Sequence, residues 1–323
     1  MKVCVFGAGA IGGLMAARIA MTSPAEVSVV ARGAHLQAIQ EKGLRLQSGA
    51  QHDVVAVRAA SEASQLGKQD VVIVALKTCS LPAAASSILP LLSPDTVIVP
   101  AMNGIPWWFF SGFGGALENM RLEGADPGGI VSHTLPREQV LGCVVYSTAY
   151  LGAPGVVCHT GRWDLFLGEP NGIASTRQQR VQRLLAEAGF DCRTTANIRT
   201  EIWAKLLGNV AFNTVAALSN ATLDRIIADP DTASLLMGLM NETIAVGHAL
   251  GLDTGEVPAQ RLEKASRIGA TRPSMLQDLE AGRPTEHESL TGAVLQIGKR
   301  LGVSTPLVSA VHGLIRLRSG AGA

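Results

Sequence analysis

Neither sign of charge dominates this chain: 27 Lys and Arg against 26 Asp and Glu leave a formal net charge of +1 over 323 residues. A nucleic-acid partner calls for a basic face, and no basic cluster interleaved with aromatics appears, so none is expected. Cysteine is sparse too. The five present (Cys4, Cys79, Cys143, Cys158, Cys192) are odd in number, scattered and without a C-x-x-C pair. That excludes a disulfide framework and suits reduced thiols. No apolar run approaches the roughly 20 residues that cross a bilayer. Met1-Lys2 runs straight into a short strand and a glycine loop, without the pattern of a secretory leader. The histidines (His35, His52, His133, His159, His248, His287, His312) show no ligand spacing such as H-E-x-x-H, so no metal is expected, and His287 reads as a surface residue or one just behind a site. Internal repeats and low-complexity tracts are also missing. The expectation is a soluble, cytoplasmic protein with neither membrane nor nucleic acid as partner. Apolar residues make up 47%, ample for sizeable cores, and the length favours two domains.

What is present begins with a strand-like run, Lys2 to Phe6, followed by Gly7-Ala8-Gly9-Ala10-Ile11-Gly12-Gly13 and then helix formers from Leu14 to Met21. G-x-G-x-x-G is a weak signal alone; between a strand and a helix it reads as a dinucleotide loop. The first glycine permits a tight turn, the second lets backbone approach a pyrophosphate, and the third lets helix pack on strand. A second strand, Val27 to Val30, ends near Arg32, where an NAD site would carry Asp or Glu. Arg there suits the 2′-phosphate of NADP, with a solvated surface Arg as the competing reading. A helix is expected over 35–41 and a short strand over 54–57. Asp70 to Leu76 has the composition of a doubly covered parallel strand, and Thr96 to Pro100 is another. Lys77 and Asn103-Gly104 follow these two strands, at the sheet edge where open α/β folds bind ligands. On spacing alone each is as readily a solvated lysine and an Asn-Gly turn.

Pro106-Trp107-Trp108-Phe109-Phe110 and the glycine-rich stretch after it read first as packing against a domain or subunit, and second as a substrate lid. Runs over 140–150, 156–160 and 164–167 suggest antiparallel strands that extend the sheet, followed by a helix over 176–188 and a strand over 190–194. The remainder reads as helical, over 231–250, 255–268, 288–301 and 306–318. One helix, Glu201 to Leu218, is apolar almost all round and therefore buried. Along it Lys205, Asn209 and Asn213 stand at i, i+4 and i+8, one polar stripe on an apolar cylinder. Satisfied core polar groups are one reading of that trio; a ligand-facing wall is the one preferred here. Further on, Ser274 and Glu286 bracket a short helix ending at Gly282. Taken singly, Ser274 reads as a helix N-cap and Glu286 as the first-turn acid of the next helix.

With these residues in view, the chain resembles the ketopantoate reductase (2-dehydropantoate 2-reductase) family over nearly its whole length. The matching pieces are GAGAIGG, Ala31-Arg32, Ala75-Leu76-Lys77, Asn103-Gly104, and Asn197-Ile198-Arg199 through Trp203-x-Lys205-Leu206 with Asn209 and Asn213. Ser274-Met275-Leu276-Gln277-Asp278 to Thr285-Glu286 completes them. The resemblance implies an α/β fold class. A Rossmann-like NADP-binding domain over 1–196 is joined to a helical substrate and catalytic domain over 197–323, with the site in the cleft between them. It implies NADPH-dependent reduction of ketopantoate to pantoate, on the route to pantothenate and coenzyme A. Gly7, Ala8, Gly9, Ala10, Ile11 and Gly12 would hold the pyrophosphate and Arg32 the 2′-phosphate; Lys77 and Asn103 would lie near nicotinamide and substrate. Lys205 would be the proton donor, Asn209, Asn213 and Ser274 would bind the substrate hydroxyl and carboxylate, and Glu286 would contact the cofactor or the substrate hydroxyl while orienting Lys205. The aromatic block is longer than the family's usual segment, and Leu223 stands where some members carry a further Asn, with Asn220 the nearest candidate. A small-molecule 2-oxo acid is the expected partner, and a homodimer is compatible with the resemblance. The alternatives are a reductase of a different 2-oxo acid and an NADP sensor without chemistry.

Overall fold

Parallel strands covered on both faces read as unbroken apolar runs, and two such runs sit inside the first sheet with a third at its end. The computed structural model describes residues Met1 to Gly320. In chain order the strands are β1 (Lys2–Phe6), β2 (Glu26–Val30), β3 (Leu44–Ser48), β4 (Gln51–Val55), β5 (Arg58–Ala60), β6 (Val71–Val74) and β7 (Val97–Pro100). They continue with β8 (Gly142–Val145), β9 (Ala149–Ala153), β10 (Val156–His159), β11 (Asp164–Gly168) and β12 (Asp191–Thr194). One parallel sheet has the order β5-β2-β1-β6-β7, and every residue of β6 and β7 is buried. The chain therefore leaves β1 in one direction and later returns to its other side. That reversal is where open α/β sheets bind ligands.

Helices α1 (Ala10–Thr22), α2 (Gly33–Lys42), α3 (Leu81–Ile88), α4 (Ile130–Thr134) and α5 (Thr176–Glu187) accompany these strands. Helix α1 begins inside the glycine loop rather than at Leu14. The expected antiparallel extension of the sheet is not what forms. The run over 140–150 breaks into β8 and β9, which join two further sheets, β4-β3-β10-β9 and β12-β11-β8. In these, β10 pairs parallel with β3 and antiparallel with β9, while β11 pairs parallel with β12 and antiparallel with β8. The reason lies in an unexpected hairpin: β3 and β4 turn about Gly49, and β3 then offers a free edge to β10.

The second half is helical: α6 (Ile198–Gly208), α7 (Thr214–Ser219), α8 (Leu223–Ala228), α9 (Pro230–Ala249), α10 (Pro258–Ser266), α11 (Ser274–Glu280), α12 (Ala293–Leu301) and α13 (Pro306–Arg318). Proline stands at the start of α9, α10 and α13, where its missing N–H costs nothing. The expected helix over 255–268 accordingly begins at Pro258. Two compact units result. One holds Met1–Met102, Trp108–Met120 and Gly129–Ile198; the other holds Asn103–Trp107, Arg121–Gly128 and the chain from Arg199 onward. Residues 321–323 of the expected second domain lie outside the described residues. Among the described residues no helix is long and apolar enough to cross a membrane. All four rings of the Trp107–Phe110 block are buried.

Candidate active site

The glycine loop shows which of its glycines the protein itself requires. Gly7 turns out of β1 with φ +101°, and a Cβ there would lie 2.7 Å from Leu76 Cδ2 and 2.8 Å from Ala75 O. At Gly12 a Cβ would fall 2.0 Å from Gly7 O. Gly9 is different: nothing in the chain lies within 4 Å of where its Cβ would be. Its bareness keeps a clear side at the mouth of α1, of which it is the N-cap. No side chain caps this helix end and no acid occupies its first turn. The amides of Ala10, Ile11 and Gly12 lie in that turn, where helix geometry leaves them without intrahelical acceptors. Backbone donors, a positive helix end and open room beside Gly9 fit a pyrophosphate.

Ala8 packs behind the loop, buried, its N–H donating to Val30 O at 3.2 Å. Arg32 follows β2 as the N-cap of α2, exposed and without an ion-pair partner among the described residues. Lys77, half-buried, comes directly after the Ala75 and Leu76 that pack on Gly7.

In the second unit, Ile202, Trp203, Leu206 and Leu207 bury most of α6. The Trp203 indole donates to Thr243 O at 3.1 Å and rests on Gly247, where a Cβ would sit 2.3 Å from Nε1. Half-buried Lys205 points its Nζ at Asn103, donating to Oδ1 at 2.7 Å across 102 residues of sequence. The expected unbroken helix then gives way to a π turn, Asn209–Asn213, before α7 resumes. A π turn admits one extra residue per turn, so Asn213 is rotated from its place on a continuous α-helix. It still reaches its neighbour: Asn213 Nδ2 donates to Asn209 Oδ1 at 3.4 Å. Asn209 Nδ2 is itself buried with no hydrogen-bond partner. Leaving a buried donor unpaired costs about 1–3 kcal/mol, so this one is suited to an acceptor carried by a ligand. Beyond α7, Asn220 is a left-handed helix cap (φ +54°), exposed, and Leu223 is buried.

A second π turn, Glu288–Gly292, precedes α12 and packs against the first. Spacing rules did not signal either. Gly104 (φ +77°) touches it so closely that a Cβ would meet Ser289 Oγ at 2.5 Å, and Ile105 N donates to Ser289 O at 3.0 Å. The Asn-Gly turn that presents Asn103 is therefore seated on buried Ser289, a residue no motif had flagged.

Ser274 is not an N-cap: Pro273 takes that place and Ser274 is the exposed first residue of α11, which packs on α7 and the first π turn. Nor does Glu286 sit in a first helical turn. It is half-buried in the irregular stretch before the π turn, and its backbone carbonyl accepts from Ser289 Oγ at 3.1 Å. His287, expected at or near the surface, is 4% exposed. Its Nδ1 pairs with Thr285 Oγ1 at 2.7 Å, and its Nε2 lies 3.3 Å from Glu288 Oε1, out of line for a hydrogen bond. His312 Nδ1 meets Thr291 Oγ1 at 2.9 Å. The Glu288 carboxyl is held below the usual range by His287, with burial opposing and the His312 charge assisting. Burial pushes His312 down against the pull of Glu288. Among the described residues no group of three or more His, Cys, Asp or Glu could hold a metal ion.

The model of the family described as ketopantoate reductase PanE/ApbA matches residues 3–172, and that of its C-terminal part matches residues 197–319. The chain belongs to the ketopantoate reductase family. A 2-dehydropantoate 2-reductase of Mesorhizobium japonicum is 43% identical, the match covering 98% of this chain and 97% of that one. The crystal structure of a 2-dehydropantoate 2-reductase from Geobacter metallireducens superposes with a TM-score of 0.86 at 27% identity, over 98% of this chain and 99% of that one. A D-mandelate dehydrogenase solved with NADH and anilino(oxo)acetate shares the fold, with a TM-score of 0.84 at 21% identity over 99% of each chain. Like other ketopantoate reductases, this protein is an oxidoreductase built on a Rossmann-type unit and dependent on a nicotinamide dinucleotide.

Proposed function

We propose that this ketopantoate reductase uses NADPH to reduce 2-dehydropantoate to pantoate, a step toward pantothenate and coenzyme A. The observation that carries the reading is the Lys205–Asn103 hydrogen bond, 2.7 Å long, on a buried helix with an unpaired Asn209 amide one turn further on. When bound, the dihydronicotinamide supplies a hydride to the ketone carbon. The protein's task is to place the ketone and manage the charge that grows on its oxygen. Lys205 stabilises that charge as an ammonium and then gives up a proton to it. Asn103 accepts from Nζ and so keeps the ammonium on one line. Asn209, Asn213 and Ser274 bind the hydroxyl and carboxylate of the substrate, and Glu286 orients Lys205. Gly7 to Gly12 hold the pyrophosphate, Arg32 the 2′-phosphate, and Lys77 stands near the nicotinamide. Residues 1–196 thus serve the cofactor, with Asn103 the exception that holds the ammonium, and residues from 197 onward serve the substrate and the proton.

The test follows NADPH absorbance with ketopantoate and a panel of other 2-oxo acids, each scored by kcat/KM. Fast turnover of ketopantoate supports the reading. Negligible turnover beside rapid reduction of another acid reassigns the substrate, and no oxidation with any 2-oxo acid removes the chemistry.

A further inference from the structure

His35 stands in the first turn of α2 and has no part in the roles above. Its ring joins two separate stretches of the first unit. Nε2 lies 2.6 Å from Ala8 O in the glycine loop, and Nδ1 lies 2.9 Å from Gly155 N at the tip of the β9–β10 hairpin. A backbone amide can only donate, so Nδ1 must be bare. A carbonyl can only accept, so Nε2 must carry the hydrogen. The two partners therefore select a single neutral tautomer.

Gly155 is itself fixed from behind. Its φ is +73°, a Cβ would come 3.0 Å from Ala38 Cβ, and its carbonyl accepts from Arg45 N at 2.9 Å. The hairpin also braces α1, since a Cβ on Gly13 would lie 2.6 Å from Val157 Cγ2. His35 thus ties the loop to a rigid support. The carbonyl it holds belongs to the Ala8–Gly9 peptide, whose N–H points opposite to its C=O in the trans plane. Holding Ala8 O on one side directs Gly9 N–H to the other.

We propose that His35 is a positioning residue for the dinucleotide: as the Nε2–H tautomer it sets the Ala8–Gly9 peptide so that Gly9 N–H faces the pyrophosphate. This rests on reading the glycine loop as the NADPH site. The experiment is a fluorescence titration of NADPH against the unaltered protein, His35→Ala and His35→Gln, with kcat and KM measured alongside. Loss of a hydrogen bond of this kind predicts a Kd and a KM for NADPH raised roughly tenfold in His35→Ala, with kcat at saturation within about twofold. Glutamine offers one donor and one acceptor from a single amide and should restore most of the affinity. Equal NADPH affinity in unaltered and His35→Ala proteins overturns the proposal, as does a Gln variant no better than Ala, which would mean packing alone. If His35→Ala fails to fold, the imidazole ¹⁵N shifts of the unaltered protein decide: an Nδ1–H tautomer at neutral pH overturns the assignment. Failure of the unaltered protein to bind NADPH would instead overturn the reading of the loop, and this inference with it.

Discussion

Two side chains in the second unit separate stability from activity. Lys205→Ala removes the proposed proton donor and should lower kcat roughly 10²–10⁴-fold while NADPH binding stays nearly intact. Steady-state rates beside a fluorescence titration check this, and a near-normal kcat removes Lys205 from the role. Asn209 tests the other direction. Its Nδ2 is buried without a partner, a state that costs about 1–3 kcal/mol. Asn209→Leu exchanges an unpaired donor for an apolar group of similar size and gives up only the long 3.4 Å bond that Oδ1 accepts from Asn213 Nδ2, so the melting temperature should hold or rise by a few degrees. Meanwhile kcat/KM should fall roughly 10- to 100-fold, as expected where a site keeps polar groups for a ligand at the expense of stability. Calorimetry and kinetics on the same preparation read both. A clear drop in melting temperature would mean that this amide serves the fold rather than the substrate.

Elements are held together here by a few charged and glycine contacts whose loss should be measurable. The N-terminus of α5 is bound to the end of β11 through Glu169, whose side chain is 5% exposed. Arg177 Nη2 reaches it at 2.6 Å, and Ser175 both donates to it and caps the helix through Gln178 N. Burial raises the Glu169 pKa, and the hydrogen bonds from Arg177 and Ser175 with the Arg177 charge more than offset it, so the carboxyl ends below its ordinary value. Its contribution is present above the unfolded carboxylate pKa of about 4.3 and is lost as pH falls through the lower folded value. Glu169→Gln should cost about 2 kcal/mol near neutrality, and much less once the pH has fallen through the lowered folded pKa, in denaturant melts run near neutrality and stepwise into acid. Spacing alone made much of the architecture readable. Continuous apolar runs announced β6 and β7, and the i, i+4, i+8 pattern brought Lys205, Asn209 and Asn213 into consecutive helical turns but not onto one regular α-helix. The β3–β4 hairpin escaped because β3 carries only Leu44 and Leu46 as apolar residues, while the strand expected over 54–57 forms as β4 over Gln51–Val55, largely exposed. The π turns escaped because helix propensity has no preference for them; packing between the turns at Asn209–Asn213 and Glu288–Gly292 decides their register. No periodicity reaches from Asn103 to Lys205, or from Gly104 to Ser289, so that meeting is visible only in three dimensions. Gly104→Ala should expose its importance. The added Cβ would be strained at φ +77° and lie 2.5 Å from Ser289 Oγ, and kcat should fall at least roughly tenfold as Asn103 is displaced. A variant that folds and turns over normally would show the seat to be dispensable.

At the level of the molecule, two compact units need not unfold in one step. A dinucleotide that binds only one of them should stabilise that one. Ligand present at 100 times its Kd adds about 2.7 kcal/mol to whatever it binds. Scanning calorimetry of the unaltered protein should therefore show NADPH raising the transition of the unit that carries Gly7 to Gly12. NADH at the same concentration should raise it less, because the exposed Arg32 guanidinium at the N-cap of α2 has no 2′-phosphate to meet. Charge-assisted hydrogen bonds contribute about 1.5–3 kcal/mol each, which makes the expected preference roughly 10- to 100-fold. In Arg32→Ala the NADPH shift should shrink toward the NADH shift while the NADH shift stays put, since an exposed arginine with no ion-pair partner adds little to the fold. Equal shifts from both dinucleotides in the unaltered protein would separate Arg32 from cofactor choice, leaving the loop as a dinucleotide site and its preference to be found elsewhere.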